Sequence, residues 1–412
     1  MDSKYKINVI EDVAGITVVD GFKAGAAACD IRNKNDFNRL DTAVVVSDTL
    51  AAGAGVFTTN DVKAAPVLTD IANLERSTKI RAIVANSGNA NACTGTRGMD
   101  DARATCKYLA EKLGVEDKQI LVCSTGRIGE FMPMDKLRKG IDAAVESLSD
   151  SAEIADKAAN AILTSDTRKK TVQVDVQFNG KKIRLAGMAK GAGMIEPNMA
   201  TMLAFIVCDA KISQSLLKES LKFAANKSFN RITVDGDMST NDTVLCLCNG
   251  ASGVEVSEDD ADSIMAFRQG LLEVSRVLAR KIVGDGEKIT KVVEVNVLGA
   301  RTEEQAEKIC RSIGNSLLVK SSWFGEDPNW GRITDSAGYA RTGIVLEKID
   351  LDYDGIPVLK AGQPIAENKP LWKQAVSKKT FTINLNLNLG SASESILAAD
   401  LTEGYVNFNK GE

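Results

Sequence analysis

The chain has 412 residues, with 51 Lys plus Arg against 55 Asp plus Glu and no histidine. The missing imidazole excludes a Ser-His-Asp triad, a Cys-His pair, HExxH zinc chemistry and any histidine proton shuttle, so a catalytic base must be a carboxylate, a lysine, a tyrosine or a terminal amine. A formal charge of −4 gives no basic footprint for nucleic acid or an anionic membrane. With 44% hydrophobic and 26% charged residues the composition is globular, enough chain for two or three domains or for one large α/β sandwich.

Residues 1–21 mix acids and bases with short apolar runs and lack the apolar region of a signal peptide. No run of about 18 uncharged apolar residues follows, so no membrane span is expected and a cytoplasmic protein is. Ala102, Cys106, Leu109 and Leu113 stand at helical spacing before Gly114, which predicts a helix with a glycine stop. Val172, Val174, Val176 and Phe178 alternate with polar residues, and Asn179-Gly180 turns the chain into Ile183 and Leu185. That is a hairpin, because Asn-Gly supplies the positive φ angles of a type I′ turn. Leu203 to Cys208 is a continuous apolar run, expected as a strand covered on both faces. The stripe Ile264, Phe267, Leu271, Val274, Leu278, Ile282 predicts a long helix ending at Gly284, and a third helix is expected near Glu303 to Leu317. Finally, Phe381, Ile383, Leu385, Leu387 and Leu389 alternate with a threonine and three asparagines, a strand with one core face and one uncharged polar row. Hairpins beside long helices predict an α/β (α+β) fold, a layered α/β sandwich with mixed, largely antiparallel sheets.

Eight cysteines stand at 29, 93, 106, 123, 208, 246, 248 and 310 without a CxxC pair. Buried thiols in a reducing compartment are expected, and no metal site. Four stretches join Gly and Asn to small hydroxyl residues at the ends of apolar segments: Asn86 to Asn91, Ser124 to Gly126, Lys190 to Gly193 with Asn198 to Thr201, and Gly284 to Glu287. Taken singly each is a turn. Lys190 to Gly193 is not a Walker A loop, since its lysine precedes the glycines. Thr201 stands before the apolar run Leu203 to Cys208, and by spacing alone it is a strand-start residue. Were the Ala200–Thr201 bond cut, Thr201 would present a hydroxyl nucleophile and its own α-amine as base, with an unperturbed pKa of about 7.7–8.0.

Lys190-Gly-Ala-Gly-Met-Ile-Glu-Pro-Asn-Met-Ala-Thr-Met-Leu203 resembles the self-cleavage segment of the ArgJ family, the ornithine acetyltransferases (glutamate N-acetyltransferases) of arginine biosynthesis. Asn86 to Gly95, Ser124 to Lys136, Thr233 to Val244, Gly284 to Glu287 and Phe324 to Ile333 are similar to further blocks of that family, in the same order. The resemblance runs from about Gly21 to Asn409 and implies the ArgJ/DmpA-like form of the sandwich. It implies cleavage between Ala200 and Thr201 into an α chain, 1–200, and a β chain, 201–412, that starts at the nucleophile and includes a C-terminal α/β region. The two chains would stay associated as α2β2. Thr201 would then take the acetyl group of N-acetylornithine and pass it to glutamate. Thr125 and Gly126 would form the oxyanion hole, and Thr164, Lys190, Thr201, Glu287 and Asn409 the substrate contacts. The resemblance implies no resident cofactor; in a variant of the family acetyl-CoA is a co-substrate that also acetylates glutamate.

Alone, Lys190 reads as a solvated lysine and Glu287 as a helix-end carboxylate. Two departures stand out: Lys288-Ile289 where the family commonly has small residues, and Lys410-Gly-Glu412 where its pattern closes with a substrate-binding Thr or Ser, a contact expected to be missing or replaced by the terminus. The other readings are an N-terminal-nucleophile amidohydrolase or aminopeptidase, which would release free acetate without glutamate, and a binding protein, which would stay uncut.

Overall fold

The computed structural model describes residues 5–196 and 202–411. The chain forms two compact units: Met1–Gly191, Asn198–Asn230 and Met238–Ile282 in the first, and Ala192–Pro197, Arg231–Asp237 and Val283–Glu412 in the second. This is a different partition from the cut expected after Ala200.

The first unit is built on a nine-stranded sheet in the order Tyr5–Glu11, Lys170–Phe178, Lys181–Lys190, Leu203–Cys208, Thr243–Cys248, Thr42–Phe57, Lys79–Asn89, Ile120–Arg127, with Phe22–Ala27 also paired to Thr42–Phe57. Leu203–Cys208 with Thr243–Cys248 and Lys79–Asn89 with Ile120–Arg127 run parallel, and the remaining ladders of this sheet antiparallel. Both faces of the strands inside the sheet are buried, whereas the edge strand Tyr5–Glu11 is largely exposed. On Lys79–Asn89, Ile83 and Ala85 enter one apolar cluster while Ala82 and Val84 enter another, the alternation of a pleated strand between two layers. The helices Gly95–Leu113 and Met134–Glu146 cover one face through Cys106, Leu109, Leu137 and Ile141. The long helix Ala261–Val283 lies against the hairpin strands, so close that a Cβ on Gly187 would sit 2.8 Å from Leu278 and one on Gly270 2.5 Å from Val176.

The second unit holds a seven-stranded sheet in the order Ile232–Thr233, Ala392–Ala399, Val292–Ala300, Thr380–Asn386, Asp350–Tyr353, Ile356–Lys360, Gln363–Pro364. One face carries Val293, Val295, Ile383 and Leu385 into a core with Ile309 and Ile313 of the helix Glu303–Asn315. Phe381 makes edge contacts there with Trp323 and Tyr353 at 6.4 and 6.3 Å. On the other face Asn296 donates to Asn384, which donates to Asp352. The polar row is therefore a hydrogen-bonded ladder, ending on a carboxylate.

The layered, largely antiparallel α/β architecture read from the sequence is observed. Gly114 caps its helix at φ 66°, Asn179 and Gly180 have φ 49° and 72°, and Leu203–Cys208 is buried throughout. Two elements end earlier than their patterns. Ser316 closes Glu303–Asn315 and caps a new helix, Leu317–Phe324, by accepting from the Val319 amide. The strand Thr380–Asn386 stops there, because Asn388 at φ 51° turns the chain before the apolar alternation ends. Seven of the eight free cysteines are buried and Cys93 is exposed. Among the described residues no helix is long and apolar enough to cross a membrane.

Candidate active site

In the first unit, Ser87 and Gly88 end one strand beside Thr125 and Gly126 of its parallel neighbour. Ser124 donates its hydroxyl proton to Asn86 Oδ1 at 2.7 Å, and the Asn241 amide donates to the carbonyls of Ala90 and Ser124 at 2.7 and 2.8 Å. Three stretches distant in sequence thus fix one backbone turn. Gly126 has φ 135°, and a Cβ there would stand 2.3 Å from the Gly88 carbonyl carbon and 2.5 Å from the Asn89 nitrogen. Only glycine fits without moving this backbone. Gly126→Ala is expected to displace the loop and, if the loop supplies an oxyanion donor, to lower kcat by about 10²–10³-fold with a smaller change in KM, read from steady-state kinetics.

Lys190 ends the second hairpin strand and is buried, which corrects the expectation of a solvated lysine. Its ammonium donates to the Thr125 hydroxyl at 3.2 Å. The side chain of Asp166 is also buried, accepting from Lys170 Nζ at 2.6 Å and from the Gly191 amide at 2.7 Å, and it feels the Lys190 ammonium as well. Burial raises this carboxyl, but the ammoniums of Lys190 and Lys170 and the Gly191 amide outweigh it and hold the pKa at about 2. Thr164, half-buried, donates its amide to Asp166 Oδ2 at 3.1 Å, and its carbonyl accepts from Arg39 at 2.9 Å. The first unit therefore brings Thr125, Thr164 and Lys190 together about one carboxylate that the sequence did not single out.

Asp242 is a second carboxyl missed from sequence. It is fully buried, and its Oδ1 accepts from the Met202 amide at 3.0 Å, while Oδ2 is buried with no hydrogen-bond partner among the described residues. Burial pushes its pKa well above the ordinary range, opposed by the Met202 amide and the Lys190 ammonium. Ala200 and Thr201 lie outside the described residues.

In the second unit, Asn409 follows the helix Glu403–Phe408 and donates to Glu287 Oε2 at 3.1 Å. The Glu287 amide donates to the Ala192 carbonyl at 2.9 Å, and its carboxylate lies so close over Gly193 that a Cβ there would meet it at 2.5 Å. Asp235 accepts from the amides of Met194 and Ile195 at 2.6 and 2.7 Å and from the Tyr405 hydroxyl at 3.2 Å. One carboxyl thus ties the segment before the expected cut to the helix that leads to Asn409. Lys288, one of the two departures, places its ammonium 5.3 Å from the Phe408 ring. Asp235 and Asp242 both lie in the block Thr233 to Val244, whose order was legible but whose roles needed the fold.

A profile of the ArgJ family matches residues 23–411. The arginine biosynthesis bifunctional protein ArgJ of Geobacter sulfurreducens is 43% identical over 394 residues, 95% of this chain and 98% of its own. That of Caldanaerobacter subterraneus is 41% identical over 398 residues, 96% of this chain and 97% of its own. Among solved structures, the arginine biosynthesis bifunctional protein ArgJ of Bacillus halodurans is 37% identical and aligns with 47% of this chain and 100% of its own at TM-score 0.44. An ornithine acetyltransferase of Mycobacterium tuberculosis, complexed with ornithine, is 35% identical, with 47% and 98% covered at TM-score 0.42. The length and identity of these matches settle the relationship: the chain belongs to the ArgJ family.

Proposed function

We propose that the chain cuts itself between Ala200 and Thr201 and then moves an acetyl group from N2-acetylornithine to glutamate through an acetyl-Thr201 ester, a step of arginine biosynthesis in the cytoplasm. The observation that carries the reading is the Ser124–Gly126 turn of an ArgJ-family chain, whose buried Thr125 is bonded to the Lys190 ammonium. Exchange of one amide for another is near balanced in energy, and the ester conserves the acyl group while the two amino acids replace one another. In this reading Thr125 and Gly126 hold the oxyanion, Lys190 the substrate α-carboxylate and Glu287, with Asn409, an ammonium; Thr164 completes the contacts. The freed α-amine of Thr201 is the base that a chain without histidine otherwise lacks. The bifunctional names of the relatives support a second donor, for which we assign acetyl-CoA as co-substrate. Incubation with N-acetylornithine and labelled glutamate tests the reading: labelled N-acetylglutamate is expected, and steady release of free acetate with glutamate omitted would mark a hydrolase instead.

The two chains produced by the cut share one sheet. Lys181–Lys190 pairs with Leu203–Cys208 from Leu185 opposite Cys208 to Lys190 opposite Leu203, and Thr42–Phe57 pairs with Thr243–Cys248. Breaking the peptide bond leaves these ladders and the core around them intact. The α and β chains are therefore expected to elute as one particle on native size exclusion, assembled as α2β2, and to separate only in denaturant.

A further inference from the structure

We infer that Asp166 is a positioning residue for the substrate α-carboxylate, holding Lys190 and Thr164 in place to receive it; this rests on the substrate contacts proposed above. The hairpin register sets Lys170 opposite Ala189, so Lys170 and Lys190 both stand at its open end. Asp166 lies four residues before Lys170, in the chain that enters the hairpin, and the two side chains are fully buried. Its Oδ1 accepts from Lys170 Nζ at 2.6 Å and from the Gly191 amide at 2.7 Å, and its Oδ2 from the Thr164 amide at 3.1 Å. One carboxylate therefore fixes the backbone of Thr164 and of the residue that follows Lys190, two stretches far apart in sequence. Arg39 holds the other side of Thr164, donating to its carbonyl at 2.9 Å and to that of Leu163 at 3.2 Å. Lys190 reaches from this frame to the Thr125 hydroxyl at 3.2 Å.

Charge points the same way as geometry. A buried ammonium keeps its proton only where negative charge offsets its lost hydration. Burial works against ionised Asp166 too, but the Lys190 and Lys170 ammoniums and the Gly191 amide outweigh it and keep the carboxylate charged. Asp242 also acts on the Lys190 ammonium, yet burial favours its neutral acid. Asp166 and Lys190 therefore sustain one another as ions. Asp166 does not meet the substrate α-carboxylate itself, since two carboxylates repel; it acts through the ammonium and the threonine that do. A residue serving only to brace the hairpin would act on the site independently of Lys190. A positioning residue loses its effect once Lys190 is gone.

Steady-state acetyl transfer by the full protein tests this. Asp166→Asn removes the charge and puts an NH2 group where an oxygen accepted. It should raise KM for N-acetylornithine and for glutamate at least about 10-fold and change kcat by less than about threefold. Asp166→Glu keeps the charge and should recover part of the KM. In a Lys190→Met background, adding Asp166→Asn should change KM by less than about threefold further, because the group it acts through is absent. A wild-type KM, a loss confined to kcat, or the full loss repeated in the Lys190→Met background overturns the inference alone. Wild-type protein that makes no N-acetylglutamate overturns the acetyltransferase reading and this inference with it. A folded Asp166→Asn chain that stays uncut on a denaturing gel also contradicts the inference, since maturation has no substrate carboxylate to hold. If Asp166→Asn does not fold, Asp166→Glu decides: its longer arm displaces the carboxylate, so a raised KM with kcat kept supports the inference and an unchanged KM overturns it.

Discussion

Thr201→Ala should leave a single 412-residue chain and lower acetyl transfer by roughly 10⁴-fold or more, the order seen when a nucleophile is removed from an otherwise intact site. Both losses follow from one hydroxyl. During maturation it attacks the Ala200 carbonyl, and afterwards it attacks the acetyl carbonyl of N-acetylornithine. The substitution also withholds the base, because without the cut the Thr201 nitrogen remains an amide, which cannot accept a proton near neutral pH. A denaturing gel and the labelled-glutamate assay read the two effects separately. Two fragments from Thr201→Ala would place the attacking group elsewhere; transfer at the wild-type rate would sink the assigned nucleophile.

Lys190→Met has the second-largest expected effect, on binding and on acid stability together. Losing a buried ammonium that meets a substrate carboxylate should raise KM for N-acetylornithine and for glutamate by at least about 30-fold, since truncating one partner of such a pair costs about 2–5 kcal/mol. The same change removes one of the two cations beside Asp166. In the wild type the Asp166 pKa is about 2, below the unfolded value of about 3.9. Its stabilising contribution is fully present above about pH 4 and is lost as pH falls through about 2, on the order of 2 kcal/mol in all. With Lys190 gone the folded pKa moves up toward the unfolded one. Lys190→Met should then be less stable at pH 7 and lose less on going from pH 5 to pH 3, as read by denaturant midpoints. A KM at the wild-type value would remove Lys190 from substrate binding, and parallel stability curves would remove it from the Asp166 cluster.

Much of the frame was legible because it rests on local chemistry. Asn179-Gly180 needs positive φ and therefore turns a hairpin; Leu203–Cys208 is apolar at every position and therefore lies between two layers. Ser316 shows where pattern reading ran over. Apolar spacing continued into Leu317, yet a serine that can accept from its own following backbone ends one helix and begins another. The family was legible as blocks in order, and the match over residues 23–411 bears out that resemblance. What stayed hidden was burial. Lys190, Asp166 and Asp242 are charged or polar side chains that composition assigns to solvent, and only tertiary contacts reveal their partners. Asp242 meets Met202 across 40 residues of sequence, and Thr125 meets Lys190 across 65. No local spacing encodes either pair.

Thr201, freed by a cut after Ala200, is expected to carry the acetyl group. Intact mass of the acid-quenched protein after incubation with N-acetylornithine alone tests it most directly. Two fragments are expected, residues 1–200 unmodified and residues 201–412 heavier by one acetyl group, with the label on Thr201 and removed when glutamate is added. A single uncut chain, or a β chain that stays unmodified while N-acetylglutamate is being formed, would contradict it.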